Sequence, residues 1–573
     1  MNTSLLRQLF SYYYNEYYST KRTEQDIDLG YYRDIFKVDQ LDPLFPVSRT
    51  GGGAELINEP VAQLSAAQLS VIRESLKDTQ NAQDAALRIS KMVNEKWIPS
   101  LIRTNPNPVV TFIKNQFLYG EAWLHPVHND KWVTGKKRRE GLPVLFSVPD
   151  PQTIYASPNE DERGVPEHTF AYYMRLPWIV KTLYPKWDNP RGKKDSSGDT
   201  ITSVYLPNRQ VPQRFVEWLA YWDGDKRYFE ADGQIVLETD NIYGENPFIH
   251  KTAGWGTASP DGLPEEIVIS RLRRYRDLLK RECNMTTDID GQFHMFANKS
   301  IWVQPKTKQD KIPPDFRKDF RMGSGWLNEL PAGLEWGFME SGEPSAQALN
   351  YLYALKGELG RKTPGVMSGD ALGGSGRLQD IAYSIAFKKY EQQVKNTQYA
   401  FEVAFGMALR MCEKIPKLRP DDIKDGDINK DYSIQVLLKP DDPLENERLS
   451  SRGSRMWQSQ ELDLETNLVE FQGRTPEQAK QIKKNIMMER IVFNPNSPFA
   501  QILALAVAEK FGMAEQLKAL QQMGQTAQMG EAPTATEMQR GQGEVETPMG
   551  REMIDQSLLG GEARRSPMPY RRT

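Results

Sequence analysis

Residues 215–238, FVEWLAYWDGDKRYFEADGQIVLE, carry the pattern that decides the fold. Phe215–Trp222 and Ile235–Glu238 are aromatic and β-branched runs of strand length. Asp223-Gly224 and Asp232-Gly233 between them supply hairpin turns, because glycine accepts the positive φ that tight turns demand. Working outward, the same period of two covers Gly120 to Phe248, with further strands at Val144–Val148, Thr153–Ala156 and Thr169–Met174. Before this block the period is helical. Helices are expected at Ser65–Thr79, at Ala82–Lys96 behind the Asn81 break, and at Val109–Leu118, which stops at Tyr119-Gly120. Thr50-Gly-Gly-Gly-Ala54 reads as a flexible break. Strands grouped together with helices before and after them indicate an α+β fold.

Beyond the strands, Pro264-Glu-Glu starts a helix that is expected to run to about Asp290. Val268, Leu272, Tyr275 and Leu279 form a heptad-like apolar seam on it. Its other faces carry Arg271, Arg273, Arg274, Arg276, Lys280 and Arg281 against a single acid, Asp277. Short strands such as Lys299–Gln304 follow, then a helix at Ser345–Arg361. Residues 364–376, PGVMSGDALGGSG, form a glycine-rich loop. A helix from Arg377 to about Lys414 comes next, with the stripe Tyr383, Phe387, Tyr390, Val394, Phe401, Phe405, Ala408 and Cys412 broken at Thr397. Its 38 residues would span roughly 57 Å. Tyr432–Lys439 reads as a strand, and Leu444–Gln460, Pro476–Arg490 and Pro498–Gln521 read as helices. After about Gln522 the sequence has no period and the composition of a disordered tail. The first thirty residues are tyrosine-rich (Tyr12, Tyr13, Tyr14, Tyr17, Tyr18), suited either to a docking arm or to a first helix packed on its own domain.

Composition bounds the function. The chain has 573 residues and a formal charge of -3, from 73 basic and 76 acidic side chains. Roughly four structural units are expected at this length. Any nucleic-acid contact must therefore be local. Mean hydropathy is -0.62, and the longest aliphatic run, Ile502 to Ala508, falls far short of the ~20 residues of a membrane span. No membrane and no secretory signal are expected. Two cysteines, Cys283 and Cys412, make neither a disulfide framework nor a four-thiolate zinc site.

Enzyme motifs are missing from the sequence. Of the five histidines only His125 and His128 are close, and HPVH reads as strand and turn, hence a structural pair. Gly135-Lys136 and Gly192-Lys193 lack the upstream glycine and the hydroxyl of a phosphate loop. Gly373-Gly-Ser-Gly-Arg377 fails as a serine elbow. Asp425-Gly-Asp427-Ile-Asn429 begins like a calcium loop, but Lys430 and Val436 stand where glycine and glutamate are needed, so it reads as a solvated turn. The basic run Gly135–Arg139 reads as a hairpin tip. No catalytic residue, metal or cofactor is expected.

In order along the chain, several stretches resemble the portal (head-to-tail connector) family of tailed bacteriophages. They are FLYGEAWLHP (117–126), VPDPQTIYASPN (148–159), VEWLAYW (216–222) with YGENPFI (243–249), and TPGVMSG (363–369) with GGSG (373–376) before a long helix. The resemblance implies an N-terminal arm (1–29), a mixed α/β wing (30–262, with strand 432–439 returning to it) and a first stem helix (263–290). A small α/β clip (291–343), a second stem helix (344–363) and a tunnel loop (364–376) would follow. A long tunnel helix (377–414), an α-helical crown (441–521) and a disordered tail (522–573) complete the set.

The function so implied is a dodecameric ring at one capsid vertex of the virion, assembled in the host cytoplasm. It would be the channel for packaging and ejecting double-stranded DNA. Implied partners are other copies of the chain, DNA held without sequence preference, the terminase large subunit, a neck or adaptor protein and the major capsid protein. Val366, Met367, Ser368, Gly369, Asp370, Gly373, Gly374 and Ser375 would be channel-loop residues. The six basic residues of 271–281 would face a neighbouring subunit or DNA, with inter-subunit salt bridges favoured. Lys306, Lys308, Lys311 and Trp326 would belong to the clip docking surface. The alternatives are another oligomeric virion protein (neck, adaptor or scaffold) and a DNA-processing enzyme.

Overall fold

The computed structural model describes residues 3–493 apart from 40–45, 66, 76–78, 135–140, 190–199, 258–260, 298–300, 308–310, 314–332, 339–345, 363–387, 440–442, 473 and 475. Two compact units divide the chain, Met1–Gln481 and Ile482–Thr573. Of the second, only the helix end up to Phe493 is described. The basic run 135–139, the loop 364–376, the helix expected at Pro498–Gln521 and the tail lie outside the described residues.

Two arm helices open the first unit, α1 (Thr3–Tyr12) and α2 (Ser19–Tyr32), joined by a π-helical turn at Tyr13–Tyr17. Helices α3 (Gly52–Ser65), α4 (Gln80–Met92) and α5 (Pro108–Tyr119) follow. Asn107 caps α5 by accepting a hydrogen bond from the Val109 amide at 3.0 Å, with Pro108 at the first helical position. Between α3 and α4 lies β1 (Gln68–Ile72).

Two sequence expectations fail here. Ser65–Thr79 is not a helix, and residues 50–54 are not a loose break, since α3 begins at Gly52. Tertiary pairing explains the first: β1 lies antiparallel to β12 (Gln435–Lys439), with Gln68 opposite Lys439 and Ile72 opposite Gln435. The Asn94 amide brackets the free side of β1, accepting from the Val71 N–H at 2.8 Å and donating to its carbonyl at 2.7 Å.

The strand block is antiparallel, as an α+β fold requires. Strands β2 (Glu121–His128), β3 (Val144–Ser147), β4 (Ile154–Ala156) and β5 (His168–Arg175) come first. Then follow β6 (Val216–Asp223), β7 (Lys226–Ala231), β8 (Gln234–Asp240) and β9 (Ile249–Thr252). They form a five-stranded sheet ordered β8-β7-β6-β5-β4 and a three-stranded sheet ordered β9-β2-β3. Asp232 and Gly233 both adopt positive φ, 46° and 76°, and turn β7 into β8.

At its central strand β6 the five-stranded sheet is buried on both faces. Trp218, Ala220 and Trp222 point into the main core, while Leu219 and Tyr221 point into a second core closed by the arm.

The expected helix 264–290 is broken. Pro264–Ile267 makes one turn, Val268 is extended, Leu272–Tyr275 is a 3-10 turn, and α6 runs only from Arg276 to Ala297. Residues 268–271 instead pass tightly over the end of α5. The Arg271 amide donates to the Phe117 carbonyl at 3.0 Å. A Cβ on Gly120, whose φ is +79°, would sit 2.4 Å from the Ile269 backbone. Only glycine fits that crossing.

Helix α7 (Ala346–Lys362) packs on α6 through Leu352, Leu355 and Leu359. Between the two helices lies a two-stranded ribbon, β10 (Ile301–Pro305) with β11 (Leu334–Phe338). Helix α8 (Glu391–Lys414) packs on α5, β2, β9 and β12 in the middle of the main core. A turn at Tyr390, φ -113°, precedes it, so residues 377–414 are not one continuous helix. The buried Tyr390 ring is held there by Phe117, 5.4 Å away, and by the Arg271 guanidinium at 5.2 Å. Thr397, the break in the α8 stripe, is fully buried and accepts a hydrogen bond from Gln116 of α5 at 2.9 Å. Helices α9 (Pro443–Gln458) and α10 (Pro476–Phe493) complete the described chain.

Candidate functional site: a basic segment and the arm that covers it

The basic segment 271–281 is engaged by its own chain at most positions. Arg271 is buried between the rings of Phe117 and Tyr390. Arg276 donates from Nε to Asp28 Oδ1 at 2.8 Å, from Nη1 to Glu24 Oε2 at 2.6 Å and from Nη2 to the Glu24 carbonyl at 2.7 Å. Arg273 lies 3.3 Å from the same Glu24 carboxylate and donates to the Glu265 carbonyl. Arg274 donates to the Trp255 carbonyl at 2.7 Å, and Lys280 pairs with Asp39 at 2.8 Å. Arg281 is exposed. Partners for Arg273 and Arg276 thus come from α2 of the same chain.

Burial pushes the Asp28 carboxyl above its usual range, and Arg276 and Arg273 only partly offset this. Burial pulls Arg276 the other way, but Asp28 and Glu24 outweigh it and raise the guanidinium. The 2.8 Å separation is the length of a charge-assisted hydrogen bond.

A second charge cluster fixes α2 to the sheets. Lys21 Nζ lies 2.7 Å from Glu121 Oε1, which also accepts from Gln25 at 2.9 Å. The other Glu121 oxygen lies 3.1 Å from His250 Nε2, and His250 Nδ1 lies 2.6 Å from Glu160. Burial alone would raise the Glu121 carboxyl, but Lys21 and His250 bring it down to about 2. For His250 burial works against the charged form, and the two carboxylates more than offset it, raising the imidazole to about 9.

At its start the arm is held by an ion pair between Arg7 and the buried Glu230. Between these anchors lies the second core: Leu6, Phe10, Tyr13 and Tyr18 from the arm against Tyr155, Phe170, Tyr172, Tyr205, Leu219, Tyr221 and Tyr228. The tyrosine-rich start therefore packs on its own domain.

Other sequence-predicted positions are dispersed. Lys306 is exposed at the end of the β10–β11 ribbon, its amide donating to the Gly333 carbonyl, and Lys311 is exposed nearby in sequence. Lys308 and Trp326 lie outside the described residues, as do Val366, Met367, Ser368, Gly369, Asp370, Gly373, Gly374 and Ser375. His125 stacks on Phe248 at 4.0 Å, and burial lowers it to about 3, so it is neutral. His128 bonds the Tyr243 hydroxyl and approaches Asp130. Among the described residues no group of three or more His, Cys, Asp or Glu side chains is placed to hold a metal ion.

The acidic turn 425–431 is more than a solvated loop. Asp427 pairs with Arg88 at 2.7 Å, Asp431 with Arg73 at 3.2 Å, and Asp425 with Arg419. Those three arginines fasten it to the segment just after β1, to α4 and to the turn after α8. Sequence reasoning missed Lys21, Glu121, Glu160 and His250 altogether. Their only signal was a carboxylate at the head of an apolar strand, Glu121 in GEAWLHP.

No protein-family model matches the chain, and no curated protein matches it. Among solved structures, one described as the neck of a native GTA particle computed with C12 symmetry superposes over 73% of this chain and 89% of that chain. The TM-score is 0.36 and the identity 11%, a level that assigns neither fold nor function.

Proposed function

We propose that this chain is a structural subunit of a phage head-to-tail connector, and specifically a portal subunit that forms a DNA-conducting ring. The observation that carries the reading is the order of elements. Antiparallel sheets come first, followed by a helix, a two-stranded ribbon and a second helix packed back on the first. A glycine-rich sequence and a helix that returns to the core of the sheet region then follow. In this reading the sheets and α8 make the wing, α6 and α7 the stem, the ribbon the clip, and 364–376 the channel loop. The packaging motor and neck proteins would dock at the clip.

The chemistry suits a conduit. Tight phosphate binding would impede a sliding duplex, and Arg273 and Arg276 are neutralised by Glu24 and Asp28 instead of standing free. The role is non-catalytic and uses no cofactor. Negative-stain electron microscopy of the purified full chain tests it. Rings with a central opening wide enough for a DNA duplex are expected. Monomers or dimers alone at high concentration would overturn it.

A further inference from the structure

We propose that the turn 425–431 is a cation loop whose cation is supplied by the chain itself, the guanidinium of Arg73, and that this internal ion clasps the returning strand β12 to the end of β1. The run Asp425-Gly-Asp427-Ile-Asn429 has the first three ligand spacings of a calcium loop. In the fold its carboxylates are drawn outward to other arginines. Asp427 accepts from Arg88 Nε at 3.1 Å and Nη2 at 2.7 Å, and Asp425 pairs with Arg419.

Four oxygens of the turn meet Arg73 instead, whose side chain is 3% exposed. They are the Asp431 carbonyl at 2.8 Å, Asp431 Oδ2 at 3.2 Å, the Ile428 carbonyl at 3.3 Å and the Asp427 carbonyl at 3.5 Å. Backbone carbonyls and a carboxylate are the ligand set of a hard cation. A rigid fork of donors can satisfy several of them at once, which a point charge on a flexible stem cannot.

Each side requires the other. A guanidinium this deeply buried must be paired and hydrogen-bonded. Ile428 packs in the main core, so its carbonyl needs an internal donor. Gly426, Asn429 and Lys430 all take positive φ, 86°, 46° and 59°. Two of these residues carry a Cβ, and such conformations persist only where the surroundings over-determine them. Arg73 is itself fixed by its backbone. It follows Ile72, the last residue of β1, which pairs with Gln435, and its amide donates to Ser90 Oγ on α4 at 2.9 Å. Where the β1–β12 ladder ends, the Arg73 side chain carries the contact on to Asp431, 358 positions away in sequence. The clasp holds whether or not the chain forms rings.

Limited trypsin digestion after Lys424 and Lys430, both exposed on the turn, tests it on the full chain. Arg73→Ala should speed these cuts on the order of tenfold. Millimolar guanidinium chloride, far below denaturing strength, should restore the slow rate where sodium chloride does not. Arg73→Lys keeps the charge without the fork and should remain fast. Hydrogen exchange of the unmodified protein gives a readout that needs no variant. Amides of 427–433 should be equally protected in calcium and in a chelator. Wild-type cleavage in Arg73→Ala, a fast turn that guanidinium leaves fast, a turn fully closed in Arg73→Lys, or protection that depends on calcium would each overturn the proposal.

Discussion

The two faces of the five-stranded sheet are built by different rules. On one face Trp218, Ala220 and Trp222 join a large core with Phe401, Phe405, Ala404 and Met407 of α8, where contact is apolar and non-directional. On the other, seven of the twelve buried side chains are tyrosines, and most phenol oxygens have a defined partner. Tyr18 donates to the Ala156 carbonyl at 2.8 Å, Tyr172 to Glu217 at 2.6 Å and Tyr155 to the Gln152 carbonyl at 3.0 Å. Tyr205 accepts from the Gly233 amide at 2.9 Å. The first face supplies stability. The second supplies directional hydrogen bonds beside its rings, so its contacts are both apolar and polar.

The sharpest way to break this contrast is to damage each core and ask how far the damage spreads. Phe405→Ala removes a fully buried ring that touches Trp97, Phe146 and Phe401. It should cost about 4 kcal/mol and lower the melting temperature of the whole first unit, read by calorimetry. Phe10→Ala, equally buried but on the arm, should cost about 3 kcal/mol with a different signature. Trypsin should cut the arm faster while the main transition stays in place. A single shared transition in both variants would mean that the two cores are one cooperative body.

Acid should separate the two faces next. Glu121 is held at about 2, below its ordinary value near 4.5. Its contribution is present above that ordinary value and is lost as pH falls through about 2. Arm protection should therefore persist at pH 5 and decline only in strong acid, measured by exchange of α2 amides. The smallest effect belongs to a single phenol. Tyr18→Phe deletes one buried hydrogen bond, leaves the Ala156 carbonyl unpaired and should cost about 1 kcal/mol, seen as a modest rise in arm cleavage. A loss as large as that of Phe10→Ala would place the second core's stability in its hydroxyls and not in its rings.

Much of the architecture was legible in sequence because it is local. The strands 215–222 and 235–238, the Asp232-Gly233 turn, the helix expected at 109–118 and the strand expected at 432–439 each announce themselves through residues a few positions apart. The failures share one cause. Gln68–Ile72 has helical neighbours but becomes a strand because residues 435–439 lie beside it. Residues 268–271 leave the helix because Gly120 and Phe117 draw their backbone across α5. Neither partner is visible within a sequence window.

The basic segment shows the same division in the candidate site. Its composition was plain, six cations to one acid, but the partners Glu24 and Asp28 lie some 250 positions away. The cluster of Lys21, Glu121, His250 and Glu160 is the extreme case, since positions 21, 121, 160 and 250 share no spacing at all.

By itself, then, the sequence determined the α+β class, the order of strands and helices, and the absence of familiar catalytic motifs, since periodicity and turn chemistry act over a few residues. Only the tertiary structure decided that the tyrosine arm closes a second core. It also turned an arginine-rich helix start into an internal ion-pair site and placed a histidine between the buried Glu121 and the exposed Glu160. Coulomb forces and hydrogen bonds act between atoms that the fold has brought together, and a linear spacing does not record that proximity.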